Sequence, residues 1–173
     1  MLKKKCIQEI YFKEIDRGMC MKPKICFAAS SGGHFEQMMM LRPMMKEYEC
    51  FLLTEKIKYK TEVEGVRTYY VEQVNRKEVF FPLKMILIYK ESLKIYKKEK
   101  PNVVICTGVL AMIPMCLIVK KHGGKLIYIE SFAKINSPTK TGQFLYKKAD
   151  HFFVQWESMK QFFPNAVYVG GIY

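Results

Sequence analysis

The chain has 173 residues, half of them apolar, enough to bury one substantial core and too few for a second full domain. Twenty-nine Lys and Arg against sixteen Asp and Glu give a formal charge of +13, which favours an anionic partner surface such as phosphate head groups, a nucleotide sugar or nucleic acid. The six cysteines (Cys6, Cys20, Cys26, Cys50, Cys106 and Cys116) form no C-x-x-C pair and mostly lie in apolar runs, so neither a disulfide framework nor a zinc site is expected. No apolar run approaches the roughly 18 to 20 residues that span a bilayer, and any membrane contact is expected to be peripheral.

Residues 1–20 are read as an extension, with Lys3, Lys4 and Lys5 beside Ile7, Ile10, Tyr11 and Ile15 in a short basic amphipathic pattern. Met19 and Met21 stand just ahead of the first strand, so an internal start is also expected. From residue 21 onward, strand and helix patterns alternate. Strands are predicted at Lys24 to Ala29, Cys50 to Thr54, Arg67 to Glu72, Val103 to Thr107, Lys125 to Glu130, His151 to Gln155 and Ala166 to Val169. Most are continuous apolar runs, the mark of strands covered on both faces. Helical patterns fall between them, near Phe35 to Glu47, Pro82 to Lys100, Pro114 to His122, Thr141 to Ala149 and Glu157 to Phe163. Pro101-Asn102 and Gly123-Gly124 close two of these helices. The alternation predicts an α/β fold, a Rossmann-like doubly wound parallel sheet with right-handed crossovers.

In such a sheet ligands bind beyond the carboxyl ends of the strands, and polar and small residues collect there. The first strand delivers Ser30, Ser31, Gly32, Gly33 and His34, a small-residue turn that lets backbone N–H groups approach an anion at the start of a helix. Thr107 and Gly108 follow the Val103 strand, Glu130 and Ser131 the Lys125 strand, and Gln155, Trp156 and Glu157 the His151 strand. His34 reads as a general base or as a hydrogen-bonding residue of the turn. Glu130 reads as a rival base, as the group that orients His34, or as a cap of the next segment. Trp156 reads as a residue that packs or that faces a partner. His122 and His151 read as packing or capping residues.

The segment from Val79 to Lys100 has two faces at helical spacing. Met85, Ile88, Tyr89, Ser92, Ile95 and Tyr96 suit docking on the sheet. Phe80, Phe81, Leu83, Ile86 and Leu87 make an apolar tip followed by Lys90, Lys94 and Lys97, which suits either an anionic membrane surface or a solvated lysine face.

Taken together, Ser-Ser-Gly-Gly-His, Thr-Gly-Val-Leu-Ala-Met-Ile-Pro, Ile-Glu-Ser-Phe-Ala, Lys-Thr-Gly, Ala-Asp-His-Phe-Phe-Val-Gln-Trp-Glu and Phe-Pro-Asn-Ala-Val-Tyr-Val-Gly-Gly resemble bacterial capsule and exopolysaccharide proteins of the PssD or CpsF type. These are similar to the membrane-recruiting subunit of the eukaryotic enzyme that adds the second N-acetylglucosamine to the dolichol-linked carrier. A weaker resemblance extends to the N-terminal half of MurG, a one-chain GT-B glycosyltransferase. The resemblance implies half of a split GT-B enzyme: the acceptor-side, membrane-docking chain of a UDP-sugar-dependent glycosyltransferase acting on a lipid-diphosphate-linked saccharide. It implies a partner of the PssE or CpsG type that binds the donor, with the UDP-sugar at the shared cleft. The chain ends near where a one-chain relative would cross into its donor domain. The implied location is the cytoplasmic face of the plasma membrane. It also implies that Ser30, Ser31, Gly32, Gly33 and His34 meet the acceptor diphosphate or the transferring phosphate edge, with Thr107 and Gly108 lining the same cleft and His34 and Glu130 as catalytic groups.

Neither a metal nor a bound cofactor is expected. A nicotinamide-dependent oxidoreductase, for which Glu55 would be the ribose-binding acid, is disfavoured because G-x-G-x-x-G is absent. A specific nucleic-acid module is not expected, since the basic residues are spread along the chain. A non-catalytic scaffold that recruits and enhances a partner transferase is the remaining alternative.

Overall fold

The structure, a computed structural model, describes residues 22–57, 61–75 and 77–173. The extension expected over residues 1–20 lies outside these residues. Seven strands form one all-parallel sheet: β1 (Ile25–Ala28), β2 (Cys50–Glu55), β3 (Arg67–Val71), β4 (Val103–Cys106), β5 (Lys125–Ile129), β6 (His151–Val154) and β7 (Val167–Tyr168). Their order is β3-β2-β1-β4-β5-β6-β7. The chain therefore winds outward from β1 in one direction, then returns to β1 and winds the other way. This reversal opens a crevice between β1 and β4, where doubly wound sheets bind ligands. In register, Ala28 pairs with both Leu53 and Cys106, so the turns after β1 and β4 emerge side by side.

The apolar runs are explained by burial on both faces. Cys26, Ala28, Leu53, Val104, Cys106, Leu126 and Tyr128 pack with residues of α3 (Phe81–Glu99), α4 (Ile113–Lys121) and α5 (Lys140–Tyr146). Alternate residues Ile25, Phe27, Leu52, Ile105, Ile127 and Ile129 pack with α1 (Gly33–Met39) and α2 (Arg42–Glu47) on the opposite face. The two-residue period of a strand sorts each side chain to one layer or the other.

Two expected helices differ. The pattern from Phe35 to Glu47 is not one helix but the pair α1 and α2. Pro43, in the first turn of α2, has no N–H to donate, and its ring crowds the carbonyl four residues back. The segment from Glu157 to Phe163 is a five-residue 3-10 turn, Glu157–Gln161, too short to repay an α-helical nucleus. In α3, Ile88, Ser92 and Ile95 are buried as expected, but Tyr89 is exposed and Glu99 is buried instead.

Glu99 anchors the amino-terminal end of the sheet. Its carboxylate pairs with Lys24 at 2.6 Å and Arg67 at 2.7 Å and accepts the Tyr69 hydroxyl, joining α3 to the approach to β1 and to β3. Burial opposes ionisation, but the hydrogen bonds from Lys24, Tyr69 and Arg67 outweigh it and hold the carboxyl at about 2. Because the folded value lies below the unfolded one, this stabilisation is complete above the ordinary glutamate range and is lost as pH falls from about 5 toward 2. Glu99→Gln is expected to cost about 2 kcal/mol at pH 7, discounted for the solvent that reaches Arg67, and to flatten the acid limb of stability in denaturant titrations between pH 6 and 3.

Candidate functional site

The turn from Ser30 to His34 stands at the crevice. Gly32 takes φ of +76°, a conformation open to glycine, and its carbonyl accepts the N–H groups of Phe35 and Glu36 at 2.9 and 3.0 Å to start α1. A Cβ added at Gly32 or Gly33 would meet nothing within 4 Å. No packing contact of the protein itself requires either glycine to be small. Ser31 is half-buried and both glycines are exposed, whereas Ser30 is buried with its hydroxyl donating to the Ser31 carbonyl at 3.2 Å.

His34 leans on the neighbouring turn. Gly108, at φ +116°, lies so close that a Cβ there would stand 2.9 Å from His34 Cε1 and 3.2 Å from Nδ1. Thr107 is fully buried, and its hydroxyl donates to the His34 carbonyl at 3.0 Å, so it ties α1 to the end of β4. His34 Nδ1 is sheltered from solvent and has no hydrogen-bond partner. Burial pushes the imidazole below its ordinary value, against a smaller opposing contact with the Thr107 backbone. The ring is accordingly neutral at pH 7.

Glu130 stands elsewhere. Strand alternation places it with Leu126 and Tyr128 on the α5 side of the sheet, away from α1. It is fully buried; its carboxylate accepts the Ser131 N–H at 2.8 Å and the Thr139 hydroxyl at 3.0 Å. Thr139 in turn accepts the Gly142 N–H at 2.8 Å, capping α5. Burial raises the Glu130 carboxyl, with these hydrogen bonds opposing. It does not bond His34 Nδ1, which has no partner; of its three readings, the hydrogen bonds to the Ser131 N–H and the Thr139 hydroxyl match the cap of the following segment.

Two buried glutamines hold the rim together: Gln155, expected at the rim from the sequence, and Gln37, which was not. Gln37 donates to the Glu130 carbonyl at 3.1 Å and accepts the Phe132 N–H at 3.1 Å. Gln155 donates to the same carbonyl at 2.8 Å and accepts the Ile172 N–H at 3.0 Å. A glutamine within the apolar run from Phe35 to Met40 was the available signal. Trp156 packs on Phe132 and donates to its carbonyl at 2.7 Å, as a packing residue should. Glu55 is also withdrawn from any ribose-like contact: it is buried against the Val74 backbone.

Val79 and Phe80 just ahead of α3, and Leu83, Ile86 and Leu87 on it, are exposed, Phe80 by 69%, and Lys90 and Lys94 continue the face. Phe81 departs from the expectation, since it is half-buried against the core. Among the described residues no helix is long and apolar enough to cross a membrane, and no cluster of His, Cys, Asp and Glu is placed to hold a metal.

Known proteins share this architecture. MurG of Acinetobacter baumannii superposes with a TM-score of 0.59 at 15% identity over 78% of this chain and 41% of that one. UDP-N-acetylglucosamine 2-epimerase from Rickettsia bellii superposes at 0.66 and 11% identity over 88% of this chain and 46% of that one. At such identities the likeness is one of fold, that of a GT-B lobe. In sequence, the human UDP-N-acetylglucosamine transferase subunit ALG14 is 31% identical over 87 residues, covering 47% of this chain and 40% of that protein. The Yarrowia lipolytica subunit of the same name is 25% identical over 86% of this chain and 80% of that protein. The matched part thus spans less than half of the human relative. The family model described as oligosaccharide biosynthesis protein Alg14 like matches residues 54–172, from within β2 to the last buried residue, and the chain belongs to that family.

Proposed function

We propose that this chain is the acceptor-binding, membrane-docking subunit of a two-chain, UDP-sugar-dependent glycosyltransferase that extends a lipid-diphosphate-linked saccharide in capsule or exopolysaccharide assembly at the cytoplasmic face of the plasma membrane. The observation that carries it is the partly sheltered His34 seated against Gly108, beside an open glycine turn at the sheet's topological switch point. A sheltered, unpaired imidazole nitrogen is a cost that a bound hydroxyl or phosphate would relieve. Sugar transfer needs a base near the acceptor oxygen and donors for charge building on the departing UDP. His34 supplies the first. Exposed Gly32 and Gly33 leave backbone N–H groups within reach of a phosphate, and Thr107 positions the turn. The donor-binding lobe comes from a partner chain of the PssE or CpsG type, in keeping with the word subunit in the relatives' names.

Co-expression with a donor-binding partner and assay on membranes with several UDP-sugars tests the proposal. Stable co-purification with transfer that requires both chains is expected; full transfer by this polypeptide alone overturns it. The scaffold reading separates at His34, whose removal would then leave transfer intact.

Membrane docking falls to the α3 tip. Its exposed apolar side chains suit the acyl boundary while Lys90 and Lys94 meet anionic head groups. Replacing Phe80, Leu83 and Leu87 with serine is expected to lower co-flotation with anionic vesicles about tenfold or more, with unchanged folding. Unchanged flotation would remove α3 as the contact.

A further inference from the structure

A cavity of about 480 Å³ opens at the carboxyl rim on the α3 and α5 side of the sheet, lined by neither the Ser30 to His34 turn nor Thr107 and Gly108. Gln73 and Asn75 reach it from the loop after β3, Lys140 and Thr141 from the start of α5, and Leu110 from the 3-10 turn after β4. Its size is that of a small-ligand site. Leu110 lies two residues beyond Gly108, so one short segment links this cavity to the His34 ring.

Both sides of the cavity are braced by buried carboxylates that the proposed chemistry leaves unused. Glu55, at the end of β2, holds the backbone of Val74, between Gln73 and Asn75. Glu130 holds Thr139, whose hydroxyl group caps the turn carrying Lys140 and Thr141. Burying two carboxyl groups is costly, and burial raises both above the ordinary range. Each fixes one side of the same space.

The lining selects its ligand class. Side-chain amides, a hydroxyl, an ammonium without an ion pair among the described residues and the apolar Val74 and Leu110 suit the hydroxyl groups and C–H face of a pyranose. A diphosphate is disfavoured there, because the lining sets one carboxylate, Glu78, against one ammonium, Lys140, and so offers no net positive charge. We infer that this cavity is a saccharide subsite, holding a sugar ring of the acceptor while His34 faces the reacting hydroxyl. The inference rests on the function proposed above.

The test uses the isotopically labelled full chain with N-acetylglucosamine, its β-1,4-linked disaccharide, glucose and inorganic pyrophosphate as probes, read by NMR at the Gln73 and Asn75 side-chain amides. At least one saccharide is expected to shift these signals, Asn75→Ala and Lys140→Ala to weaken that binding about tenfold, and pyrophosphate to leave them in place. In the assembled enzyme, Lys140→Ala is expected to raise the acceptor KM about tenfold with kcat within twofold, whereas His34→Ala acts on kcat. Either a saccharide shift or the KM effect supports the subsite; pyrophosphate shifts in place of saccharide shifts, or the absence of both effects, overturns it. Transfer with neither a saccharide shift nor a Lys140 effect sinks the subsite alone, and saccharide binding without transfer by the assembled pair sinks the proposed function alone.

Discussion

His34→Ala is expected to lower transfer by the assembled enzyme about 10²–10⁴-fold, the usual contribution of a positioned general base, with little change in thermal stability. The side chain is only partly buried, its ring contacts Gly108 and its Nδ1 makes no hydrogen bond, so little folding energy depends on it. The pH dependence has a definite sign. Only the unprotonated imidazole accepts a proton, and burial lowers its titration point, so kcat should hold as pH falls past about 6.5 and drop only below that. His34→Gln should abolish this limb. Full transfer by His34→Ala in an intact complex would instead assign the chain a purely scaffolding role. Gly108→Ala should lower the rate in the same direction, because its Cβ would displace the ring from a backbone conformation that itself disfavours a side chain.

Much of the fold was legible because its strands are buried on both faces. Runs such as Ile25 to Ala28 and Val103 to Cys106 are uniformly apolar and fully buried, so composition alone located them. The break between α1 and α2 was missed although Pro43 stands in the sequence, because helical periodicity on either side obscured it. The turn from Ser30 to His34 was locatable because strand, small residues and helix follow one another within a dozen positions. Glu130 was not placeable in the same way. Its rim position follows from sequence, but the face to which its side chain turns depends on which layer α1 covers, a property of the whole sheet. The same holds for Glu55 with Val74 and Gln37 with Phe132, contacts between segments far apart in the chain. On α3 the apolar period located the helix, but the exposed Tyr89 and half-buried Phe81 show its rotation set by packing against α4 and β3.

Gly142→Ala tests the bracing of α5 with opposed expectations from local and tertiary physics. Gly142 is in the first turn of α5, where helix propensity alone predicts that alanine stabilises by roughly 0.5–1 kcal/mol. The structure predicts the reverse. A Cβ at this position would overlap Glu130 Oε2 and stand 2.9 Å from Thr139 Oγ1, and the carboxylate cannot retreat while it is buried and bonded to Ser131 and Thr139. Overpacking against a fixed polar group should cost about 3 kcal/mol, which wins over propensity. Glu130→Ala alone leaves the Ser131 N–H unpaired and removes the acceptor of the Thr139 hydroxyl, at a cost of about 1–3 kcal/mol. In that background the space for a methyl exists, so Gly142→Ala should then cost less than about 1 kcal/mol. A double-mutant cycle by denaturant unfolding reads the difference directly. Additive costs would mean that the buried carboxylate does not hold the start of α5, and the architecture proposed for the cavity beside Lys140 would lose one of its two supports.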